Sequence, residues 1–188
     1  MIVIGIIGPK GAGKEAIAAH IARAYNGKMH SHSEILDEIL HILRLPITRD
    51  NEIRLVALRK NFGPTVLTDA LNKKIQTDNA AIEAITGIRY DSELDNIRAY
   101  PQNAVIFVDA PIRQRYEWQK QRDHKKDDSS MSFDEFEELE KRETEVNVAA
   151  LGLKADYKIE NDGTLEHLYS QVDAIIKQIK GKYAESPN

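Results

Sequence analysis

One stretch constrains this chain more than any other. GPKGAGKE, residues 8–15, stands between the apolar run IVIGII and the segment AIAAHIARAY. The β-branched run before the loop reads as a buried strand, and Ile17, Ile21 and Ala24 fall on one face of the helix after it. Gly8, Gly11 and Gly13 permit unusual dihedrals and close approach of a ligand to the backbone. Strand, glycine loop and helix N-terminus in that order point successive N–H groups at one place, and the helix dipole adds positive potential there. Lys14 adds a mobile cation. The stretch meets the phosphate-cradling pattern G-x-x-x-x-G-K-[ST] at every fixed position but the last, where Glu15 replaces a hydroxyl that ordinarily binds magnesium. The plain alternative is a glycine-rich turn with a chance lysine; the strand and helix on either side favour a nucleotide site.

Strands and helices continue to alternate downstream. KMHSH is expected as a short second strand, with His30 and His32 on one face. That spacing is compatible with metal binding, but ordinary hydrogen bonding is the simpler expectation. Ser33 is the expected N-cap of SEILDEILHILRL, followed by helices over NEIRLVALRKNF and PTVLTDALNKKI. AAIEAIT reads as a third strand, DSELDNIRAY as a helix and AVIFVDAP as a further strand closed by Pro111. RQRYEWQKQR is expected helical, HKKDDSSM a polar loop, and Ser132 with Glu135 a capping box opening the helix FDEFEELEKRETE. Tyr116 and Trp118 are expected to pack rather than stack on a base. DYKIE reads as an edge strand, and Leu165 to Ile179 carry the stripe of a last helix. This order predicts an α/β fold with a mostly parallel sheet covered by helices, and ligands at the carboxyl ends of its strands.

With 188 residues the chain suits a single domain over 1–181, with a flexible tail at 182–188. A net charge of −4 argues against general nucleic-acid binding and leaves small molecules as the expected partners. The absence of cysteine excludes disulfides and thiolate metal sites, and a cytoplasmic setting is expected. The first residues resemble neither a signal peptide nor a membrane span, because the apolar run is short and meets glycines at once. Oligomeric state is left open.

GPKGAGKE, GIRYDSELDNIR, VDAP followed by RQRYEWQKQR, and ADYKIENDGTLEHL occur in an order that resembles P-loop kinases of the nucleoside monophosphate kinase group. The likeness is greatest to the dephospho-CoA kinase-like and deoxynucleotide kinase-like branches, and it spans nearly the whole chain. It implies a three-layer fold with a five-stranded core, a helical substrate-binding portion over 44–79, and an arginine-bearing lid over 113–145. Carried over by position, it implies that Gly8, Pro9, Lys10, Gly11, Ala12, Gly13, Lys14, Glu15 and Ala16 hold the donor phosphates. Arg89 would face the transferred or acceptor phosphate, Arg115 and Arg122 would serve at the lid, and Asn161 and Gly163 would border the donor base. Arg49, Arg54 and Arg59 fall where such kinases grip their second substrate. Arginines on separate segments suit a reaction that spreads negative charge; exposed arginines on charged helices are otherwise simply solvated.

The chain departs from that group at the metal. Members usually carry a hydroxyl after the lysine and an acidic residue at the end of the third strand, where this chain has Glu15 and Thr86. A swapped pair across one Mg²⁺ is one reading and a decayed metal site is the other, with Asp109 as a further carboxylate within reach. The expected function is transfer of the terminal phosphoryl group of ATP, with Mg²⁺, to a nucleotide monophosphate or a coenzyme A precursor. The alternative is a non-catalytic ATP-binding regulatory protein. An ATPase coupled to a partner protein would need elements this chain lacks.

Overall fold

The computed structural model describes residues 1–121, 131–141 and 143–184. Its centre is a five-stranded sheet of β1 (Ile2–Ile7), β2 (Lys28–Ser31), β3 (Ile82–Thr86), β4 (Asn103–Asp109) and β5 (Tyr157–Glu160). The strands run in the order β2-β3-β1-β4-β5, and every pairing is parallel. Parallel strands need crossovers, and helices supply them: α1 (Lys14–Ala24), α2 (His32–Ile42), α3 (Arg49–Val56), α4 (Leu58–Phe62), α5 (Val66–Asp78) and α6 (Asp91–Arg98) lie between β1 and β4. After β4 come α7 (Ile112–Gln121), α8 (Phe133–Glu140) and α9 (Glu143–Gly152), and α10 (Leu165–Ala184) follows β5.

Strand alternation sorts the core into two faces. Ile4 and Ile6 of β1 join Ile17 and Ile21 of α1 and Val172, Ile176 and Ile179 of α10. Val3 and Ile7, pointing the other way, join Leu67 and Leu71 of α5, Leu94 and Ile97 of α6 and Leu151 of α9. A sheet covered on both faces explains why IVIGII reads as a continuous apolar run instead of an alternating one. Gly5 has a packing reason: a Cβ there would lie 2.9 Å from Cδ1 of Ile88 and 3.4 Å from Cγ1 of Ile97.

Several boundaries differ from expectation. The N-cap of α2 is Ser31, whose hydroxyl accepts from the Glu34 N–H at 3.0 Å, so the helix starts before Ser33. His30 and His32 therefore do not share a strand face: the first lies within β2 and the second begins α2. The single helix expected over NEIRLVALRKNF is broken at Ala57 into α3 and α4. The helix expected over FDEFEELEKRETE is divided into α8 and α9. Helix α10 continues past Gly181 to Ala184 because Tyr183 anchors it. The Tyr183 hydroxyl donates to the Asn103 carbonyl at 2.6 Å and accepts from its N–H at 2.9 Å.

Candidate functional site

The glycine loop leaves β1 and enters α1 at the carboxyl edge of the sheet. Gly11 and Gly13 hold φ of 80° and 107°, a region that other residues enter at a cost. Gly8 is fixed by proximity: a Cβ there would lie 2.1 Å from the Val108 carbonyl oxygen on β4. Gly13 caps α1 with no side-chain hydrogen bond to the first turn, a pattern that leaves helix N–H groups for an anion. Lys14 is 5% exposed and its Nζ donates to the Pro9 carbonyl at 2.8 Å, arching across the loop it follows. Glu15 is exposed on the first turn of α1, with half-buried Ala16 behind it.

On the β4–β5 flank, two side chains brace the loop. Asn161 Nδ2 donates to the Ala12 carbonyl at 2.9 Å, and the Asn161 N–H donates to the Asp109 carbonyl at 2.7 Å. Arg115 is buried: its Nε donates to the Ala110 carbonyl at 2.9 Å and its NH1 to the Lys10 carbonyl at 3.0 Å. Its two terminal nitrogens also meet Glu140 at 2.9 and 2.7 Å, so one guanidinium ties the loop, β4 and α8 together. Helix α8 opens with the expected capping box, Ser132 N–H to Glu135 at 2.7 Å and Glu135 N–H to Ser132 at 3.3 Å. Tyr116 packs edge-on against Phe133, with ring centres 5.4 Å apart. A cavity of about 520 Å³ opens beside these groups, lined among others by Asp109, Pro111, Arg115, Asn161 and Asp162. Gly163 follows Asp162 in the chain and stands against His167. Asp109 is half-buried and its Oδ1 accepts from the Ala110 N–H at 2.8 Å.

The β2–β3 flank is built differently. Glu93, 1% exposed, accepts from the Arg89 N–H at 2.7 Å and the Tyr90 N–H at 3.3 Å, and pairs with Arg59 NH2. The Arg59 guanidinium lies over the Tyr90 ring, 4.7 Å from its centre, while its buried Nε has no hydrogen-bond partner among the described residues. His32 is 5% exposed; among the described residues neither ring nitrogen makes a hydrogen bond of good geometry, the Thr86 backbone bears on the ring, and Nε2 stands 3.8 Å from Glu93 Oε1. Burial holds the His32 imidazole below the usual histidine range, against the opposing pull of Glu93. Unmade hydrogen bonds at buried nitrogens of this kind cost about 1–3 kcal/mol each. His30, two residues earlier, is buried as well but meets Glu83 at 2.9 Å.

The remaining candidates are scattered. Arg89 is half-buried beside Glu93, Thr86 is buried at the end of β3, and Arg54 is exposed in an ion pair with Asp50 at 2.8 Å. Arg122 lies outside the described residues, as does the side chain of Arg49. Among the described residues no group of three or more His, Asp or Glu is arranged to hold a metal, and no helix is long and apolar enough to cross a membrane. Sequence reasoning missed the Arg115–Glu140 tie, the Asn161 brace and the isolation of His32. The Tyr90-x-x-Glu93 spacing was the available signal for Glu93, since a glutamate three residues into a helix can reach back to the N-terminal N–H groups.

Fold and loop together define a P-loop kinase fold. Two kinds of likeness stand beside that conclusion. A shikimate kinase from Bacteroides thetaiotaomicron superimposes with a TM-score of 0.65 over 95% of this chain and 98% of its own, at 13% identity. A gluconokinase from Sinorhizobium meliloti gives a TM-score of 0.54 over 99% and 98%, also at 13% identity. In sequence, the chain is 26% identical to a UPF0200 protein of Methanothermobacter thermautotrophicus over 99% of this chain and 95% of that one. It is also 26% identical to a UPF0200 protein of Thermococcus kodakarensis over 97% and 100%. No family model matches the chain.

Proposed function

We propose that this protein is an ATP-dependent small-molecule kinase. The observation that carries the proposal is the glycine loop itself: Gly11 and Gly13 at positive φ, a first turn of α1 without a side-chain cap, and Lys14 drawn over the loop. Such a loop holds a triphosphate by backbone N–H groups, and Lys14 turns from the Pro9 carbonyl to the terminal phosphates. The cavity beside Arg115, Asn161 and Asp162 suits the rest of the donor nucleotide, and Gly163, next in the chain after Asp162, remains the candidate to border its base. Arg115 contributes by holding the loop's shape, and Arg89 and Arg59 belong to the acceptor side, with Arg49, Arg54 and Arg122 as further candidates for charge balance.

Mg²⁺ fits the donor chemistry here, because Glu15, Thr86 and Asp109 offer only oxygen, and this ion uses one or two carboxylates together with substrate phosphates and water. When bound, it would offset charge on the phosphates. The acceptor proposed from the sequence resemblance is a nucleotide monophosphate or a coenzyme A precursor. The names of the superimposing structures widen this to small hydroxylated metabolites.

A second reading, an ATP-binding regulatory protein with a degenerate metal site, is favoured by one observation: Glu15 is exposed where a hydroxyl is usual. Purified protein with ATP and Mg²⁺, assayed for ADP with and without a panel of monophosphates and dephospho-CoA, separates the two. Acceptor-dependent ADP formation is expected of the kinase; ATP binding without turnover belongs to the regulator.

A further inference from the structure

The acceptor side holds a buried group that the phosphate cradle does not use. Ser31 pairs with Thr86 across β2 and β3, and Gly5 pairs with Ile85 across β1 and β3. His32, the next residue after Ser31, thus stands at the same carboxyl edge as the loop, about two strand spacings or ~10 Å to one side. Gly87, with φ of 78°, lets the chain after β3 pass close to α2: a Cβ at Gly87 would be 3.3 Å from the His32 backbone nitrogen.

Three buried polar atoms in this cluster lack a well-formed hydrogen bond among the described residues, Nδ1 and Nε2 of His32 and Nε of Arg59, and the Thr86 backbone, which bears on the ring, can occupy only one of the two imidazole nitrogens. A neutral imidazole is both a hydrogen-bond acceptor and a donor, and the Arg59 Nε is a donor only. The charged groups bearing on the ring are Glu93 from α6 and Arg59 from α4, and they are paired with each other. A doubly charged phosphate monoester brought against His32 would meet the Glu93 carboxylate beside the ring, with the nearest guanidinium, that of Arg59, already paired to that carboxylate. A hydroxyl meets an acceptor nitrogen of the right polarity, and a second oxygen on the same molecule meets the Arg59 Nε–H.

We propose that His32 receives the hydroxyl of the phosphoryl acceptor, and that the acceptor is an alcohol carrying a second oxygen nearby and not a phosphate monoester. This rests on the kinase reading given above. In the transfer, the acceptor oxygen's electron pair forms a bond to the terminal phosphorus of ATP as the bond from that phosphorus to the bridging oxygen breaks. ADP leaves with the electron pair, and the hydroxyl proton passes to His32 and on to solvent. A phosphate acceptor would already be deprotonated at its attacking oxygen and would need no such residue.

The test uses the full chain with saturating ATP and Mg²⁺ and follows products by phosphorus NMR. Nucleosides, dephospho-CoA and shikimate serve as alcohols; AMP, CMP, GMP, UMP and dTMP serve as phosphate acceptors; water is an acceptor in every tube. The expected result is a new phosphomonoester from an alcohol, or failing any added acceptor, slow hydrolysis to ADP and phosphate. His32→Gln and His32→Asn should each lower that turnover by about 100-fold while ATP affinity stays within about twofold of the parent. ATP affinity and a cooperative melt report that each variant is folded. Conversion of a monophosphate to a diphosphate overturns the proposal, as does turnover indifferent to His32 in folded variants. ATP that binds without any turnover, or fails to bind, defeats the kinase reading and this inference with it.

Discussion

The two flanks of the glycine loop handle buried polarity in opposite ways. On the β4–β5 side every nitrogen of the Arg115 guanidinium is hydrogen-bonded within the architecture, reaching Ala110, Lys10 and Glu140, and Asn161 holds the Ala12 carbonyl. On the β2–β3 side neither nitrogen of buried His32 makes a well-formed hydrogen bond among the described residues, and the Arg59 Nε shares that condition. The first flank is a brace whose bonds are complete without a ligand. The second bears a hydrogen-bonding deficit that a ligand relieves, which is the pattern of a binding surface. His30 and His32 differ in degree: Glu83 meets Nε2 of His30, while its Nδ1, like the nitrogens of His32, lacks a well-formed hydrogen bond among the described residues.

Substitutions on the two flanks should therefore separate stability from activity. The largest effect is expected where loop and β4 touch. Gly8→Ala would drive a Cβ to 2.1 Å from the Val108 carbonyl, which packing cannot absorb without parting β1 from β4. A loss of about 3 kcal/mol or more in chemical denaturation is expected. Next, Arg115→Met should cost about 2–4 kcal/mol, because it strands Glu140 and two carbonyls at once. An Arg115→Met protein as stable as the parent would break the distinction between the flanks from one side.

His32→Leu tests the other side. Replacing the ring leaves Glu93 satisfied, because it keeps Arg59 and the two N–H donors of Arg89 and Tyr90. Stability near neutral pH should be unchanged or raised, by up to about 3 kcal/mol, while phosphoryl transfer is lost. A large destabilisation would show that His32 is bonded in solution and belongs to the architecture.

The smallest effect is a pH slope. Burial lowers the folded pKa of His32, so below the ordinary histidine value of about 6.5 the unfolded chain binds a proton that the folded chain resists. Stability should fall as pH drops through and below that value, and His32→Leu should flatten that part of the curve. An identical slope in parent and variant would show that the ring is freely protonated when folded.

Much of the fold is legible in the residues because the governing signals are local. IVIGII, the three glycines and the Ile17–Ile21 stripe specify strand, loop and helix by chemistry contained within them. Ser132 and Glu135 form their capping box for the same reason. Where expectation slipped, a distant partner or an ambiguous spacing decided the outcome. Ser31 and Ser33 both precede an apolar stripe, and only the S-x-x-E spacing from Ser31 to Glu34 marks the true cap. Gly181 does not stop α10, because Tyr183 is bonded to Asn103, a residue far away in sequence. No glycine or proline announces the break at Ala57. The site divides in the same manner. The loop is readable from its spacing, but Arg113 and Arg115 are two residues apart on one charged helix, and only tertiary packing exposes the first and buries the second.

The phosphate cradle is tested most directly by titrating ATP into the parent protein and into Lys14→Ala by calorimetry. Lys14 donates to the Pro9 loop carbonyl at 2.8 Å and lies at the start of α1, so its removal should leave a cooperative melt. A saturable heat of binding in the parent, weakened by about tenfold or more in Lys14→Ala, is the expected result, matching the loss of one charge-assisted contact to phosphate. Equal affinity in the two proteins, or no binding to the parent, would contradict a nucleotide site at Gly8 to Ala16.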